Sequence, residues 1–197
     1  KWINGEFTFK QIKNVNVADL LGREPINIEN KNLRQSIKGK VVLVTGAAGS
    51  IGSEIAKECI MYEPKYLVLN DQEEKQLYTM DYLINSDRTE VVIGDVANKG
   101  RMEKVFQAFA PDVVFHAAAY KHVPLMEDNP YEALNTNVFG TRILANLAVK
   151  YETEKFVFVS TDKAVNPTNI MGASKRMAKI YFQSLDNILY LKSDNHT

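Results

Sequence analysis

The sequence predicts an α/β protein built on a doubly wound parallel sheet. Three observations predict it. From Gly39 onward short apolar runs alternate with helical patterns, the arrangement of parallel strands joined by right-handed crossovers. The first run, Val41-Val42-Leu43-Val44, is continuous and rich in β-branched residues, as in a strand buried on both faces. That run breaks into Gly46, Gly49 and Gly52, which open a helical pattern over residues 53–61.

Taken in order, residues 1–38 lack the dense apolar periodicity of the rest and read as an N-terminal extension lying on the main domain, or as a linker. One short helix fits residues 15–21, with Asn14 or Asn16 as its cap and Gly22 as its stop. Residues 39–191 form the predicted Rossmann domain and 192–197 a polar tail. Strands are expected to begin near Val41, Tyr66, Thr89, Val113 and Lys155. Helices are expected over 50–62, 73–85 and 100–110, within 129–150, and over 169–185, where Met171, Ser174, Ala178, Tyr181 and Leu185 share a face. Residues 188–191 read as a sixth strand or an unrelated terminus. No internal repeat or low-complexity tract interrupts this pattern.

Composition narrows the function classes. The 197 residues are about one domain, and 45% apolar content is enough for a sizeable core. Lys plus Arg and Asp plus Glu are 24 each, so no global field favours nucleic acid or an acidic membrane, and a small-molecule site is expected. Cys59 stands alone in the first helix of the domain and reads as a core residue; no metal-ligand set accompanies it. No apolar run approaches the ~18 residues of a membrane span. The chain starts at Lys1 without a methionine, so it reads as a piece of something longer, with any membrane segment elsewhere.

The glycine turn points to a dinucleotide. Gly46 permits the tight turn, Gly49 lets the backbone approach a pyrophosphate, and Gly52 lets the helix pack on the strand. Ala48, Ser50 and Ile51 complete this cofactor-binding turn, with the phosphates at the helix N-terminus. The second strand ends at Asn70-Asp71, nineteen residues past Gly52 and near the ~20 expected of an acid that holds the adenosine ribose. A carboxylate there repels a 2′-phosphate, which favours NAD over NADP. Asp71 also reads as a helix N-cap, with Glu74 at the box position.

Further along, Asp95, followed by Val96, reads either as an acceptor for the adenine amino group or as a turn residue. His116 reads as a packed, hydrogen-bonded histidine. The small side chains of Ala117, Ala118 and Ala119 would let a cofactor lie against the backbone. Lys121 and His122 follow at the carboxyl edge of the sheet, where they can meet a sugar or phosphate.

The fifth strand ends in Ser160-Thr161-Asp162-Lys163, which offers a hydroxyl, a carboxylate and an amine in succession. They can converge only if the strand has given way to loop, because successive strand residues face opposite ways. Met171 and Lys175 are four apart on the last helix, where Lys175 can hold the nicotinamide ribose. Tyr151 and Lys155 also satisfy Y-x-x-x-K, but they precede the fifth strand and belong to the wrong edge of the sheet.

Four ordered motifs, Thr45 to Gly52, Ala117 to Pro124, Asn135 to Thr141 and Ser160 to Pro167, resemble those of the extended short-chain dehydrogenase/reductases. More narrowly, they resemble bacterial UDP-N-acetylglucosamine 4,6-dehydratases of the polysaccharide-biosynthesis type. Asp19 to Pro25 is similar to the segment leading into the catalytic domain of the long, membrane-anchored members.

That resemblance implies a redox-neutral dehydration in which hydride leaves sugar C4 for NAD, water is lost across C5 and C6, and hydride returns at C6. It implies Lys163 as the C5 base, Asp162 as the acid for the departing hydroxyl and Thr161 as a donor to the C4 oxygen. Asn137, with Lys121 and His122, would meet the UDP-sugar. Burial beside the cofactor would help keep Lys163 neutral.

Two departures accompany the resemblance. Met171 stands where short-chain enzymes usually carry a tyrosine, and a thioether cannot accept the C4 proton. The substrate lobe that follows the last helix in the family is largely missing. A nonenzymatic NAD-binding fragment and a nucleotide-sugar 4-epimerase are the competing readings. The expected setting is cytoplasmic, with the parent protein anchored to the inner membrane. Apolar surface beside an incomplete lobe makes a homo-oligomer a candidate assembly.

Overall fold

The computed structural model describes residues 31–194. Its core is a five-stranded parallel sheet, β1 (Val41–Thr45), β2 (Tyr66–Asp71), β3 (Thr89–Ile93), β4 (Val113–His116) and β5 (Lys155–Phe158), in the order β3-β2-β1-β4-β5. Each strand starts where the sequence predicts. Every pairing is parallel, with Val42 opposite both Leu67 and Val113.

Helices α1 (Lys31–Ile37), α2 (Ser50–Met61), α3 (Glu74–Ile84), α4 (Lys99–Phe109), α5 (Val123–Asp128), α6 (Pro130–Ala133), α7 (Thr141–Lys150) and α8 (Ile170–Asp194) supply the crossovers and flanks. Alternation along the strands sorts their side chains into two apolar layers. Val42, Val44, Leu67 and Leu69 pack with Ala56 and Cys59 of α2 and Leu77 and Met80 of α3. Leu43, Val68 and Val114 pack with Met102, Val105 and Phe106 of α4 and Leu144 and Leu147 of α7. Because β1 is buried along its whole length, it cannot slide in register without exposing a layer.

Several boundaries differ from the sequence expectation. Ile37 is fully buried among Val42, Val44 and Cys59, so the packed unit takes in α1 rather than starting at Gly39. The helix predicted at 15–21 lies outside the described residues. In the region 129–150 one helix was expected, and the chain instead forms α6, a π-helix at Leu134–Gly140 and α7. Pro130 at the start of α6 separates it from α5, since its ring nitrogen carries no proton to donate. Residues 188–191 are helical rather than a strand, and the helix runs past 191 to Asp194. Neither glycine nor proline follows Leu185 to stop it.

A buried polar chain ties the sheet to the π-helix. Thr141 donates its hydroxyl hydrogen to the Asn137 carbonyl at 2.7 Å, so its oxygen can only accept from His116 Nε2 at 2.9 Å. Nδ1 is then the acceptor for the Thr45 hydroxyl at 2.8 Å. This network assigns His116 as neutral, with its proton on Nε2. Burial, helped by the nearby Lys175 ammonium, pushes the ring down to about 3. The expected packed histidine is what the fold contains.

Two measurements test this core. Phe106→Ala removes a fully buried ring and should lower unfolding free energy by about 3–5 kcal/mol in denaturant titration; a loss under about 1 kcal/mol would contradict its place in the core. The depressed histidine means that the unfolded chain binds a proton that the folded chain refuses. Stability should therefore fall as pH drops from about 6.5 toward about 3, by at most about 1.4 kcal/mol per unit from this group, and His116→Gln should remove that part of the slope.

Candidate active site

The strand order reverses between β1 and β4, and above the strands' carboxyl ends there lies a crevice of about 270 Å³. Its floor is the β1–α2 turn, with Gly46, Ala48 and Gly49 on its surface. Gly46 has φ +71°, and a Cβ on it would lie 2.5 Å from the Ala118 nitrogen. Only glycine lets this turn pass so close to the loop after β4. A Cβ on Gly52 would lie 2.0 Å from the Gly46 carbonyl oxygen, so the close helix packing read from the sequence is real. Gly49 caps α2 without a side-chain bond, leaving the N–H groups of the first turn free of a side-chain cap at the crevice edge. Ser50 and Ile51 occupy that first turn, beside the crevice rather than in its lining.

Asp71 closes the side toward β2. Its Oδ2 accepts from the Ala48 N–H at 3.0 Å and its Oδ1 from the Glu73 N–H at 3.1 Å. The N-cap reading of Asp71 is corrected: the residue ends β2, Glu73 holds the cap position, and α3 has no side-chain cap bond. Asp95 lines the crevice and also accepts from the Ala97 N–H at 2.8 Å, so it is a turn residue whose carboxylate borders the cavity. Val96 beside it is packed under Gly140, where a Cβ would come within 2.8 Å of its methyl group.

Ala117, Ala118, Ala119 and Tyr120 form the opposite wall. What holds it is Asn137, fully buried in the π-helix. Its Oδ1 accepts from the Tyr120 N–H at 2.9 Å, and its Nδ2 donates to the Tyr120 carbonyl at 3.1 Å and the Ser174 hydroxyl at 2.9 Å. The sequence reading of Asn137 as a substrate contact is therefore corrected. Both ends of its amide are engaged inside the protein. A π-helix frequently marks a functional site, and here it carries a side chain that clamps a crevice wall.

Lys121 extends back over the rim and donates to the Ser50 hydroxyl at 3.3 Å, while His122 stands exposed at the cap of α5. Neither meets the crevice lining.

Beyond β5 the chain has already left the sheet. Thr161 accepts at the start of a 3₁₀ turn (Asp162–Ala164) and donates its hydroxyl to Asp162 Oδ1 at 2.9 Å. Lys163 sits 4.0 Å from the same carboxylate oxygen. The Thr161 hydroxyl, then the Lys163 N–H and the Lys163 ammonium, hold the Asp162 carboxyl below its ordinary value. The three groups do gather, but the side chains of Asp162 and Lys163 are 90% and 52% exposed. The burial expected for Lys163 is absent, and none of the three lines the crevice.

Behind this turn, Met171 is buried in a small apolar cluster with Met126 and Ala133. Lys175, one turn on, is also buried. Its ammonium donates to the Val159 carbonyl at 3.2 Å and lies 4.8 Å from the centre of the Phe158 ring. Desolvation pulls it down to about 8. The Tyr151–Lys155 pair, by contrast, lies at the other end of β5, with Lys155 donating to Ser36.

Sequence reading missed several residues here. Asn70, Gln72, Glu73, Gln76, Gly94, Tyr120 and Thr136 also line the crevice. Gly172 lets α8 approach the Thr161 turn, since a Cβ on it would lie 2.5 Å from the Lys163 carbonyl oxygen. A glycine in a first helical turn was the available signal.

This geometry has relatives. The profile of a family described as "Polysaccharide biosynthesis protein" matches residues 42–195. The capsular polysaccharide biosynthesis protein CapD of Staphylococcus aureus is 44% identical over 189 residues, which cover 93% of this chain and 32% of that protein. A UDP-N-acetylglucosamine 4,6-dehydratase (inverting) of Campylobacter jejuni is 35% identical over 151 residues, 76% of this chain and 45% of the relative. The X-ray structure of Pen from Bacillus thuringiensis superposes with a TM-score of 0.72 at 33% identity, over 76% of this chain and 46% of that one. The chain thus spans from 32% to 45% of the length of these curated relatives. With its parallel sheet, glycine turn and profile match over most of its length, the chain belongs to the polysaccharide biosynthesis protein family.

Proposed function

We propose that this chain is the coenzyme-binding part of an NAD-dependent nucleotide-sugar 4,6-dehydratase acting on UDP-N-acetylglucosamine in glycan biosynthesis. The observation that carries the reading is the Thr161–Asp162–Lys163 turn. It holds a hydroxyl, a carboxylate and an amine at the carboxyl end of β5, with the carboxylate and amine exposed, which supports reading them as donor, acid and base. Epimerisation at C4 needs no proton taken from C5 and no group lost from C6, so it gives such a pair nothing to do.

The crevice fits NAD. The close approach at Gly46, the α2 N-terminus without a side-chain cap and the Asp71 carboxylate suit, in turn, a dinucleotide backbone, its pyrophosphate and an adenosine ribose. When bound, NAD supplies reversible hydride storage. The C4 hydroxyl proton goes to Asp162, to a water or through Thr161 as relay, since the Met171 thioether cannot take it. In this reading Lys175 would hold the second ribose, for which its ammonium, buried and bonded to the Val159 carbonyl outside the crevice lining, must turn from that carbonyl.

Asp162 and Lys163 start as an ion pair in water. Covering them with the sugar and the remaining lobe penalises both charges, which favours moving a proton from the amine to the carboxyl. That transfer leaves a neutral amine able to accept the C5 proton and a neutral acid able to give one to the departing C6 oxygen. Thr161, released from Asp162, can then donate to the C4 oxygen.

The uninterrupted protein, incubated with NAD and UDP-N-acetylglucosamine, should form a 4-keto-6-deoxy sugar. A C4 epimer would overturn the dehydratase reading, and coenzyme binding without product would favour the nonenzymatic one. In that protein Lys163→Met should abolish C5 proton exchange with deuterated solvent while NAD still binds; unchanged exchange would refute the base assignment. Calorimetry on the present chain should show Asp71→Asn weakening NAD about tenfold or more, because a charged acceptor for the ribose is lost.

A further inference from the structure

We propose that Tyr120 and Gln72 form a latch across the coenzyme crevice that sets how fast the dinucleotide enters and leaves. The inference rests on the dinucleotide reading of the crevice and not on which sugar reaction follows.

Gln72 follows β2 and Tyr120 follows β4, the two strands that flank β1. Both residues line the crevice, and the Gln72 amide donates to the Tyr120 hydroxyl at 3.2 Å. A bond between these two loops must cross above the glycine turn that lies between them. On the α2 side of that turn, the neighbouring Lys121 reaches from the same loop to Ser50. The loop after β4 is therefore fastened at two places, to the loop after β2 and to the start of α2.

Asn137 holds both the N–H and the carbonyl of Tyr120, so its backbone stays put and any opening falls to the side chain. The ring rests against the apolar cluster of Met126, Ala133 and Met171, which leaves the hydroxyl as the reaching end. A fixed backbone, a ring with an apolar seat and one exposed hydrogen bond make a part that opens by side-chain rotation, without unfolding the loop. The bond is neutral and exposed, so it breaks readily, and its loss changes rates by a modest factor.

Stopped-flow mixing of the chain with NADH, read by coenzyme fluorescence, tests this in wild type, Tyr120→Phe, Gln72→Ala and the double variant. Association and dissociation rates should each rise about threefold to tenfold in either single variant, while their ratio stays nearly constant. The double variant should be no faster than a single one, because both changes remove the same bond. Rates unchanged from wild type would overturn the latch, as would effects that multiply in the double variant. So would faster dissociation alone, which marks a direct contact with the coenzyme. If the wild-type chain takes up no NADH, the dinucleotide reading itself falls with the latch; normal uptake with unaltered variant rates refutes the latch only.

Discussion

The structure depends on how closely one carbonyl oxygen, that of Gly46, is approached. Gly52 comes so near it that a single methyl group would collide, and Gly46 in turn turns with a positive φ beneath the backbone of Ala118. These two contacts bring the start of α2 over the end of β1 and press the loop after β4 against the same point. The crevice, its uncapped helix end and its two walls follow from that arrangement. The apolar layers above and below hold the strands in register so that it persists.

The second organising element is polar. Thr45, His116, Thr141 and Asn137 run from β1 through β4 into the π-helix, and Asn137 continues to Tyr120 and Ser174. Buried polar groups of this kind are costly if any one goes unpaired, so a fully paired chain specifies one arrangement of its members. Here it links the glycine turn, one crevice wall and the first turns of α8. Burial depresses the His116 ring, and the nearby Lys175 ammonium adds to that effect.

The crevice and the Thr161 turn differ in their enclosure. The crevice over β1 is walled on both sides, whereas the Thr161 turn stands largely in water, with its acid and amine neutralising each other. Under the proposed reading a proton can pass between the two only in a dry enclosure, which the described residues do not form around them.

Strand starts, sheet class and the glycine turn were all legible in the sequence, because each rests on local chemistry. A run of β-branched residues buries itself as a strand wherever helices flank it, and glycine alone tolerates the close approaches at 46 and 52. Nine of the residues expected to hold the coenzyme line one crevice for the same reason: they sit at the carboxyl ends of adjacent parallel strands. The sequence could not show that Asn137 faces inward, that Glu73 rather than Asp71 caps α3, or that the last helix passes Leu185 without stopping. Nor could it show Gln72 meeting Tyr120 across the glycine turn. Spacing along the chain determines which face of an element a residue occupies; only the packing of distant elements decides what that face meets, and hydrogen bonds are made to partners, not to positions.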